Sequence, residues 1–297
     1  EVNPDKAEAE LEKKKRLYAA MGLLVPLPKD GVTIAGLLTD ESGKTCVSMR
    51  SNRITGGGKG GVHMCEYAKG FLKLNTLSEA SGPALLIASG ADPEVDENTI
   101  AENASHGVHV LAGGKGRYSN NKVHMNAAAG FCIGAEASPD IRANEVCEND
   151  AAGVLVMEGA NARIYGNSMH ANGGAGIEVG GEGTTQLRDN DVYSNKGAAG
   201  LVVRGATELV VSDNYVHEND AAGVLLLDGA DPLLAKNRVL SNGTEGVRCA
   251  SGAKGRLERN TIEDNGGVGL LSESGCAPVV GENFITNNAG DAAQPVN

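Results

Sequence analysis

The chain has 297 residues, of which 42 are glycine and 3% are aromatic, and its formal net charge is −12. Because its only basic run lies at residues 13–16, the acidic balance argues against nucleic acid or an anionic membrane surface as a main partner. No apolar run approaches the length of a membrane span, so no membrane insertion is expected. Abundant glycine with few aromatic residues favours a repetitive protein with small core positions.

The first segment, residues 1–28, is predicted to be a capping helix followed by a linker. Asn3 can cap the helix and Pro4 suits its first turn, while Leu11 and other apolar residues recur among charged ones up to residue 22. A helix of this kind would cover the open end of the repeat array that follows.

A 23-residue repeat then runs through almost the whole remaining chain, and an asparagine marks each copy. Nine of the ten intervals between these anchor asparagines are 23 residues and one is 24. The anchors are Asn52, Asn75, Asn98, Asn121, Asn144, Asn167, Asn190, Asn214, Asn237, Asn260 and Asn283. A fixed period of this length indicates one supersecondary unit stacked many times.

Each copy contains three short strands separated by corners. In the copy that begins at Asn144, an apolar residue follows at Val146, a second asparagine at Asn149, and a glycine at Gly153. The alternating run at residues 154–156 has the two-residue period of a strand, and there is no room for the apolar stripe of a helix. The pattern predicts an all-β, single-stranded parallel β-helix over residues 29–297, with about twelve rungs. Because the connection between two parallel strands of one sheet is right-handed in almost every known case, the β-helix should be right-handed.

The anchor asparagines are predicted to form a structural ladder. In a stacked coil, each side-chain amide lies one rung from its equivalent and can donate a hydrogen bond to it. The second asparagine of each copy should form a similar column.

Two stretches carry a family resemblance. Residues 144–156 read NEVCENDAAGVLV and residues 214–226 read NYVHENDAAGVLL. They resemble the 23-residue parallel β-helix repeats, of the PbH1 or CASH type, of carbohydrate-binding and sugar-hydrolase domains. The closest likeness is to the β-helical substrate-receptor region of an F-box protein family. The resemblance covers about residues 29–297 and implies the fold, whereas receptors, scaffolds and polysaccharide enzymes all share it. The F-box itself has no counterpart in residues 1–28.

Two polar columns are candidates for chemistry. The first lies at a predicted corner and contains Glu79, Glu102, Glu148, Glu218 and Asp264. Its members are spread over nine rungs, too far apart for a paired acid and base, so no catalytic residue is assigned. The second contains His124, Cys147, His170, Tyr193 and His217 on five successive rungs. A polar surface column explains it better than a metal or catalytic site, and no metal or cofactor is predicted.

An apolar strip is the third surface feature. Outward positions of the alternating strands should be mostly polar if water is their only neighbour. Several are instead aliphatic, which predicts a protein-binding face unless a loop or terminus covers them. The predicted partner-binding residues are Leu86, His109, Leu155, Val202, Leu225 and Leu271.

The sequence therefore favours a non-enzymatic protein-interaction module, a receptor or rigid scaffold subunit of a larger assembly. The alternative is a carbohydrate-active polysaccharide lyase or hydrolase. The chain has no Trp and only three Phe, and a shortage of aromatic platforms for sugar rings favours the first interpretation. The six cysteines show neither a pairing pattern nor metal-type spacing, which favours reduced thiols and an intracellular location.

Overall fold

The fold is built from short, mostly parallel strands. The computed structural model describes residues 25–26, 32–35, 46–57, 60–205 and 209–290. Within these residues there is no helix, and the strands form a right-handed parallel β-helix of about ten turns. Each full turn adds one strand to each of three sheets, which we name A, B and C. The predicted all-β fold is confirmed.

Sheet A has 12 strands, of which the first two are antiparallel. They are Val25–Pro26, Val32–Ala35, Val62–Cys65, Leu85–Ile87, Val108–Val110, Phe131–Ile133, Val154–Val156, Ile177–Gly180, Ala199–Arg204, Ala222–Leu227, Val247–Cys249 and Leu270–Ser272. The 11 strands of sheet B are Cys46–Arg50, Lys69–Lys73, Asp92–Asp96, Arg117–Ser119, Asp140–Arg142, Arg163–Tyr165, Gln186–Arg188, Val210–Ser212, Leu233–Ala235, Arg256–Glu258 and Val279–Val280. The 11 strands of sheet C are Arg53–Thr55, Thr76–Ser78, Thr99–Ala101, Lys122–His124, Glu145–Cys147, Ser168–His170, Asp191–Tyr193, Tyr215–His217, Arg238–Leu240, Thr261–Glu263 and Phe284–Thr286.

The core lies between the three sheets. Equivalent repeat positions pair in register, so Val146 lies between Val123 and Met169, and all three side chains are fully buried. In the three-residue strands of sheets B and C, the middle residue points inward and the two flanking residues point outward. In most strands of sheet A the pattern is reversed. Sheets B and C therefore present two outward columns each, and sheet A presents one.

Left-handed backbone angles occur at the corners, but not at the ladder asparagines themselves. The left-handed residue is the one before nearly every ladder asparagine, such as Ala143 with φ of 50° or Glu148 with φ of 55°. Gly153 is required for a different reason. A Cβ at this position would lie 2.6 Å from the carbonyl oxygen of Gly176 and 3.0 Å from Nδ2 of Asn172. Close approach to the next rung explains why this corner position is glycine.

Both asparagine columns form the predicted ladders. The Nδ2 group of Asn144 donates to Oδ1 of Asn167 at 2.9 Å, and Asn167 in turn donates to Asn190 at 3.1 Å. Each Oδ1 of the first ladder also accepts a backbone N–H from the rung before it, as at Asn144 N. The second ladder repeats the arrangement, with Asn149 donating to Asn172 at 3.0 Å. These bonds satisfy polar groups that the coil closes off from water.

The predicted N-terminal cap lies outside the described residues. Residues 3–22 and most of the predicted first rung fall there, so the structure describes about ten turns where the sequence predicts twelve rungs. The division into a cap at residues 1–28 and a coil at residues 29–297 stays a prediction.

Candidate functional site

The outward face of sheet B carries two adjoining columns of charged and aromatic residues. They occupy the fourth and second positions before each anchor asparagine. The first column reads Phe71, Glu94, Arg117, Asp140 and Arg163, and the second reads Lys73, Asp96, Ser119, Arg142 and Tyr165. Because the strands are paired in register, each side chain lies one rung from the next, roughly 4.8 Å along the rod.

Shallow depressions follow these columns along the rod. One of them has a volume of about 330 Å³ and is lined by residues from Phe71 to Arg142. Another, of about 350 Å³, is lined by residues from Ser138 to Gln186. Together they form a surface groove parallel to the rod axis, a shape that accommodates an extended polymer better than a compact ligand. We call it the sheet B groove.

The groove contains three cationic side chains without an anionic partner. Arg117, Arg142 and Arg163 form no ion pair with any described residue, although the chain has an excess of carboxylates. By contrast, Arg204 pairs with Glu178 at 2.9 Å and several other arginines are paired in the same way. Guanidinium groups bind carboxylates in bidentate geometry. Beside the carboxylates Glu94, Asp96 and Asp140, the groove therefore offers three guanidinium groups that can bind an anionic ligand.

Asp96 has a supporting role in this groove. Burial by itself would raise the pKa of its carboxyl group, but hydrogen bonds from Lys73, Asn120 and Ser119 outweigh that effect and lower the pKa to about 2. The Lys73 ammonium lies 2.6 Å from its Oδ2. A carboxylate that stays ionised to such low pH is a poor proton donor near neutrality. We assign Asp96 to holding the groove side chains in place.

Asp140, Tyr165 and Arg142 form the part of the groove best suited to proton transfer. The Tyr165 hydroxyl donates to Oδ2 of Asp140 at 3.4 Å and accepts from Nη1 of Arg142 at 3.3 Å. The other carboxylate oxygen, Oδ1 of Asp140, is buried and has no hydrogen-bond partner, the one such side-chain atom among the described residues. Buried polar atoms are almost always bonded, so a ligand hydroxyl is a natural partner for it.

The sheet B groove was not predicted from the sequence, because only the inward residue between these two columns was used to define the strands of sheet B. The sequence does contain a signal at the two flanking positions, because acidic residues and arginines alternate from Glu94 to Arg163 in the first column and charged residues recur in the second. The acidic column that was considered, represented by Glu148 and Glu218, does lie at a corner, with left-handed backbone angles of 55° and 52°. Its members lie in the turns that connect sheet C to sheet A.

The histidine column lies on the outward side of sheet C, as predicted, and its rings are stacked. The ring centroids of His170 and Tyr193 are 4.8 Å apart, and those of Tyr193 and His217 are 5.1 Å apart, with nearly parallel planes. Nε2 of His217 also lies 2.9 Å from Oδ1 of Asp191. Stacking explains why ring side chains recur at one position of successive rungs.

The apolar strip of sheet A points outward as predicted, but it is less exposed than expected. Leu155 is half-buried, while Val202 and Leu225 are only 2% and 8% exposed. The latter two belong to a small second cluster with Ala199 and Ala222. Residues of the chain itself therefore cover the centre of the strip. Binding of a protein partner by the strip stays a prediction, and its premise of an exposed surface is corrected.

We expect Leu225→Asp to lower the melting temperature by about 5–10 °C, because it places a charge inside this small cluster. Leu155→Asp on the same face is the matched control and should have a smaller effect, since its side chain already reaches water. Thermal unfolding followed by circular dichroism compares the two. Equal shifts would show that the cluster around Val202 is open to solvent.

Comparison with protein families identifies the fold family. The family model for the right-handed β-helix region matches residues 35–192 and 152–297, most of the chain. The chain belongs to the right-handed β-helix family. A comparison with curated protein sequences finds no significant match. The described residues of this β-helix include no helix long and apolar enough to cross a membrane.

Solved structures similar to this β-helix protein include polysaccharide-modifying enzymes. A variant of the periplasmic alginate epimerase AlgG is 14% identical with a TM-score of 0.65; the match covers 77% of this chain and 62% of that one. The Azotobacter vinelandii mannuronan C-5 epimerase AlgE4 A-module is 13% identical, with a TM-score of 0.53 and coverages of 84% and 91%. Pectate lyase Pel9A is 14% identical, with a TM-score of 0.53 and coverages of 79% and 71%. At these identities, the similarity shows the fold.

The comparison also corrects the preferred functional prediction. A non-enzymatic interaction module was expected, but the similar structures reported above are epimerases and a lyase. The alternative, a carbohydrate-active enzyme, is the better supported interpretation. A shortage of aromatic residues does not exclude sugar binding, because charged side chains can bind an acidic sugar without stacking on it.

Proposed function

We propose that this chain is a polysaccharide lyase that binds an acidic polysaccharide lengthwise in the sheet B groove. The observation that carries the proposal is a set of three arginines, Arg117, Arg142 and Arg163, which form no ion pair with any described carboxylate although the net charge of the chain is −12. Similarity to enzymes named for alginate, mannuronan and pectate supports the choice of polymer class.

The spacing of the groove suits a chain of charged sugars. Guanidinium groups recur on successive rungs, so an extended polyanion can contact several of them at once. Phe71 lies at one end of the groove and is 47% exposed, which makes its ring available to stack on a sugar face. Multiple weak contacts of this kind hold a polymer without a deep pocket.

The proposed reaction is β-elimination at a uronic acid residue. Arg117 and Arg142 bind the sugar carboxylate and reduce the charge that develops when the adjacent carbon loses its proton. Tyr165 passes its hydroxyl proton to the carboxylate of Asp140, to which it is hydrogen-bonded, and accepts the proton of the sugar carbon. The electron pair of the broken C–H bond forms a C=C bond and expels the glycosidic oxygen, which takes a proton from Tyr165. Asp140 then returns its proton to the Tyr165 oxygen. The reaction is redox-neutral.

Hydrolysis is the second candidate, and a specific observation favours it. Glu94 and Asp140 lie in one column on either side of Arg117, two rungs apart. That places their Cα atoms roughly 10 Å apart, which leaves room for a water molecule between two carboxyl groups, as in an inverting hydrolase. A lyase and a hydrolase give chemically different products, so one assay separates them.

The experiment measures product formation from pectate, alginate and a neutral glucan. We expect the acidic polymers to yield unsaturated products with new ultraviolet absorbance, and the glucan to yield none. New reducing ends without this absorbance would instead identify a hydrolase. Arg117→Ala combined with Arg142→Ala should abolish turnover, whereas Arg256→Ala, outside the groove on the same sheet, should not. The lyase proposal fails if none of the acidic polymers gives an unsaturated product.

We further propose a helical cap, a coil of twelve rungs, a relationship to the F-box receptor family and an intracellular location. The apolar spacing of residues 3–22 supports a helical cap, and the repeat pattern upstream of Asn52 supports a count of twelve rungs. The repeat sequence of residues 144–156 supports a relationship to the F-box receptor family. An intracellular location is supported only by the positions of the six cysteines in the sequence, which follow neither a disulfide pattern nor a metal-type spacing.

A further inference from the structure

A second cluster of reactive side chains lies on sheet C, away from the sheet B groove. The ligand atoms of Glu145, Cys147 and His170 all lie within 4.8 Å of one another. Sγ of Cys147 is 3.7 Å from Oε1 of Glu145, and Nε2 of His170 is 3.6 Å from the same oxygen. Among the described residues this is the only group of three potential metal ligands that converge in this way.

These separations are close to what a small tetrahedral cation requires. Zinc binds sulfur, nitrogen and oxygen ligands at about 2.0–2.3 Å, which holds the ligand atoms roughly 3.3–3.6 Å apart. Two of the three separations in the cluster therefore need to change by only a few tenths of an ångström. Small side-chain rotations would bring the three atoms onto one ion.

The fold holds the three residues in place. Glu145 and Cys147 occupy the two outward positions of one strand, and His170 is the register partner of Cys147 on the next rung. The ring of Tyr193 stacks on His170 with planes 13° apart and so restricts its rotation. Cys147 itself is only 2% exposed. Such restriction lowers the ordering cost of binding an ion.

The donor set selects the type of ion. Sulfur and imidazole ligands favour zinc and similar transition metals, whereas calcium and magnesium prefer oxygen ligands alone. One protein group competes for the site, because Nζ of Lys122 lies 2.9 Å from Oε1 of Glu145. The Lys122 side chain is 48% exposed and can move into solvent when a cation takes its place.

We propose that Glu145, Cys147 and His170 form a zinc-binding site with a fourth position open to water. This inference goes beyond the proposed polysaccharide chemistry, since it lies on another sheet and uses none of the groove residues. Three protein ligands with an open position resemble the ligand count of catalytic zinc sites.

The test is titration of the full chain with Co²⁺, followed by competition with Zn²⁺. Bound cobalt should show the near-ultraviolet absorption of a thiolate–cobalt bond, and one equivalent of zinc should remove it. Cys147→Ser should eliminate the absorption, and His170→Gln should weaken zinc binding by more than about tenfold. Cys132→Ser, which changes a buried thiol on sheet A, is the matched control and should leave the cobalt absorption and the zinc affinity unchanged.

Lys122→Ala provides a variant with the opposite expected effect. Removing the competing ammonium should tighten zinc binding about two- to fivefold. This factor corresponds to the usual free energy of a partly exposed ion pair. Circular dichroism of each variant verifies that the coil is intact. Cobalt binding without thiolate absorption, or zinc binding unaffected by both Cys147→Ser and His170→Gln, would overturn the proposal.

Discussion

Tyr165→Phe is expected to reduce turnover of an acidic polysaccharide by about 100- to 10,000-fold, the usual contribution of a positioned proton-transfer group. The substitution removes only the hydroxyl that bonds Asp140 and Arg142, at 3.4 Å and 3.3 Å. The ring stays, and so do the arginines that bind the polymer. We therefore expect kcat to fall while KM changes little, measured as initial rates over a range of substrate concentrations.

Tyr215→Phe is the matched control for this prediction. Tyr215 is an outward tyrosine of sheet C whose ring stacks on His217, far from the groove. Its loss of a hydroxyl should leave kcat unchanged. If Tyr165→Phe retains full activity while Arg117→Ala with Arg142→Ala loses it, the groove binds substrate but another residue moves the proton. Glu94 is the first alternative in that case.

The second large effect concerns stability. Asn167→Leu should destabilise the coil by about 3–5 kcal/mol, because several buried hydrogen bonds lose a partner at once. Oδ1 of Asn167 accepts from both the backbone and the side chain of Asn144, and its Nδ2 donates to the Ile141 carbonyl and to Asn190. The site is closed to water, so none of these groups regains a bond. The melting temperature should fall by roughly 5–15 °C.

Asn161→Leu is the control for the ladder. Asn161 is an exposed asparagine in a loop between sheets A and B, where it accepts hydrogen bonds from Thr184. Water replaces such bonds, so the melting temperature of the Asn161→Leu variant should differ from that of the parent by only about 1–2 °C. The outcome that would refute the ladder's role is an equal shift for the two variants in thermal unfolding followed by circular dichroism.

For the candidate site, the positions of the residues could be predicted from the sequence, but the contacts of their side chains could not. The period placed every residue on a rung and on an inward or outward face, so the columns on sheet B could be written down from the sequence. It could not show that, among the described residues, Oδ1 of Asp140 has no hydrogen-bond partner and Arg117 forms no ion pair. Those facts depend on side-chain rotamers and distances between rungs. The exposure of the outward apolar strip was predicted wrongly for the same reason, since Val202 and Leu225 are buried in a small cluster with alanines.

The sequence by itself determined the β-helical architecture and the asparagine ladders. A 23-residue period with paired asparagines leaves room for short strands only, and identical residues one rung apart satisfy one another's amides. Only the tertiary structure decided which charged groups are available for chemistry. Whether Arg142 bonds Tyr165, or Glu145 approaches His170, depends on how outward side chains from different rungs meet. A one-dimensional period specifies the rung and the face of each residue, but outward side chains have several rotamers, and their neighbours select among them.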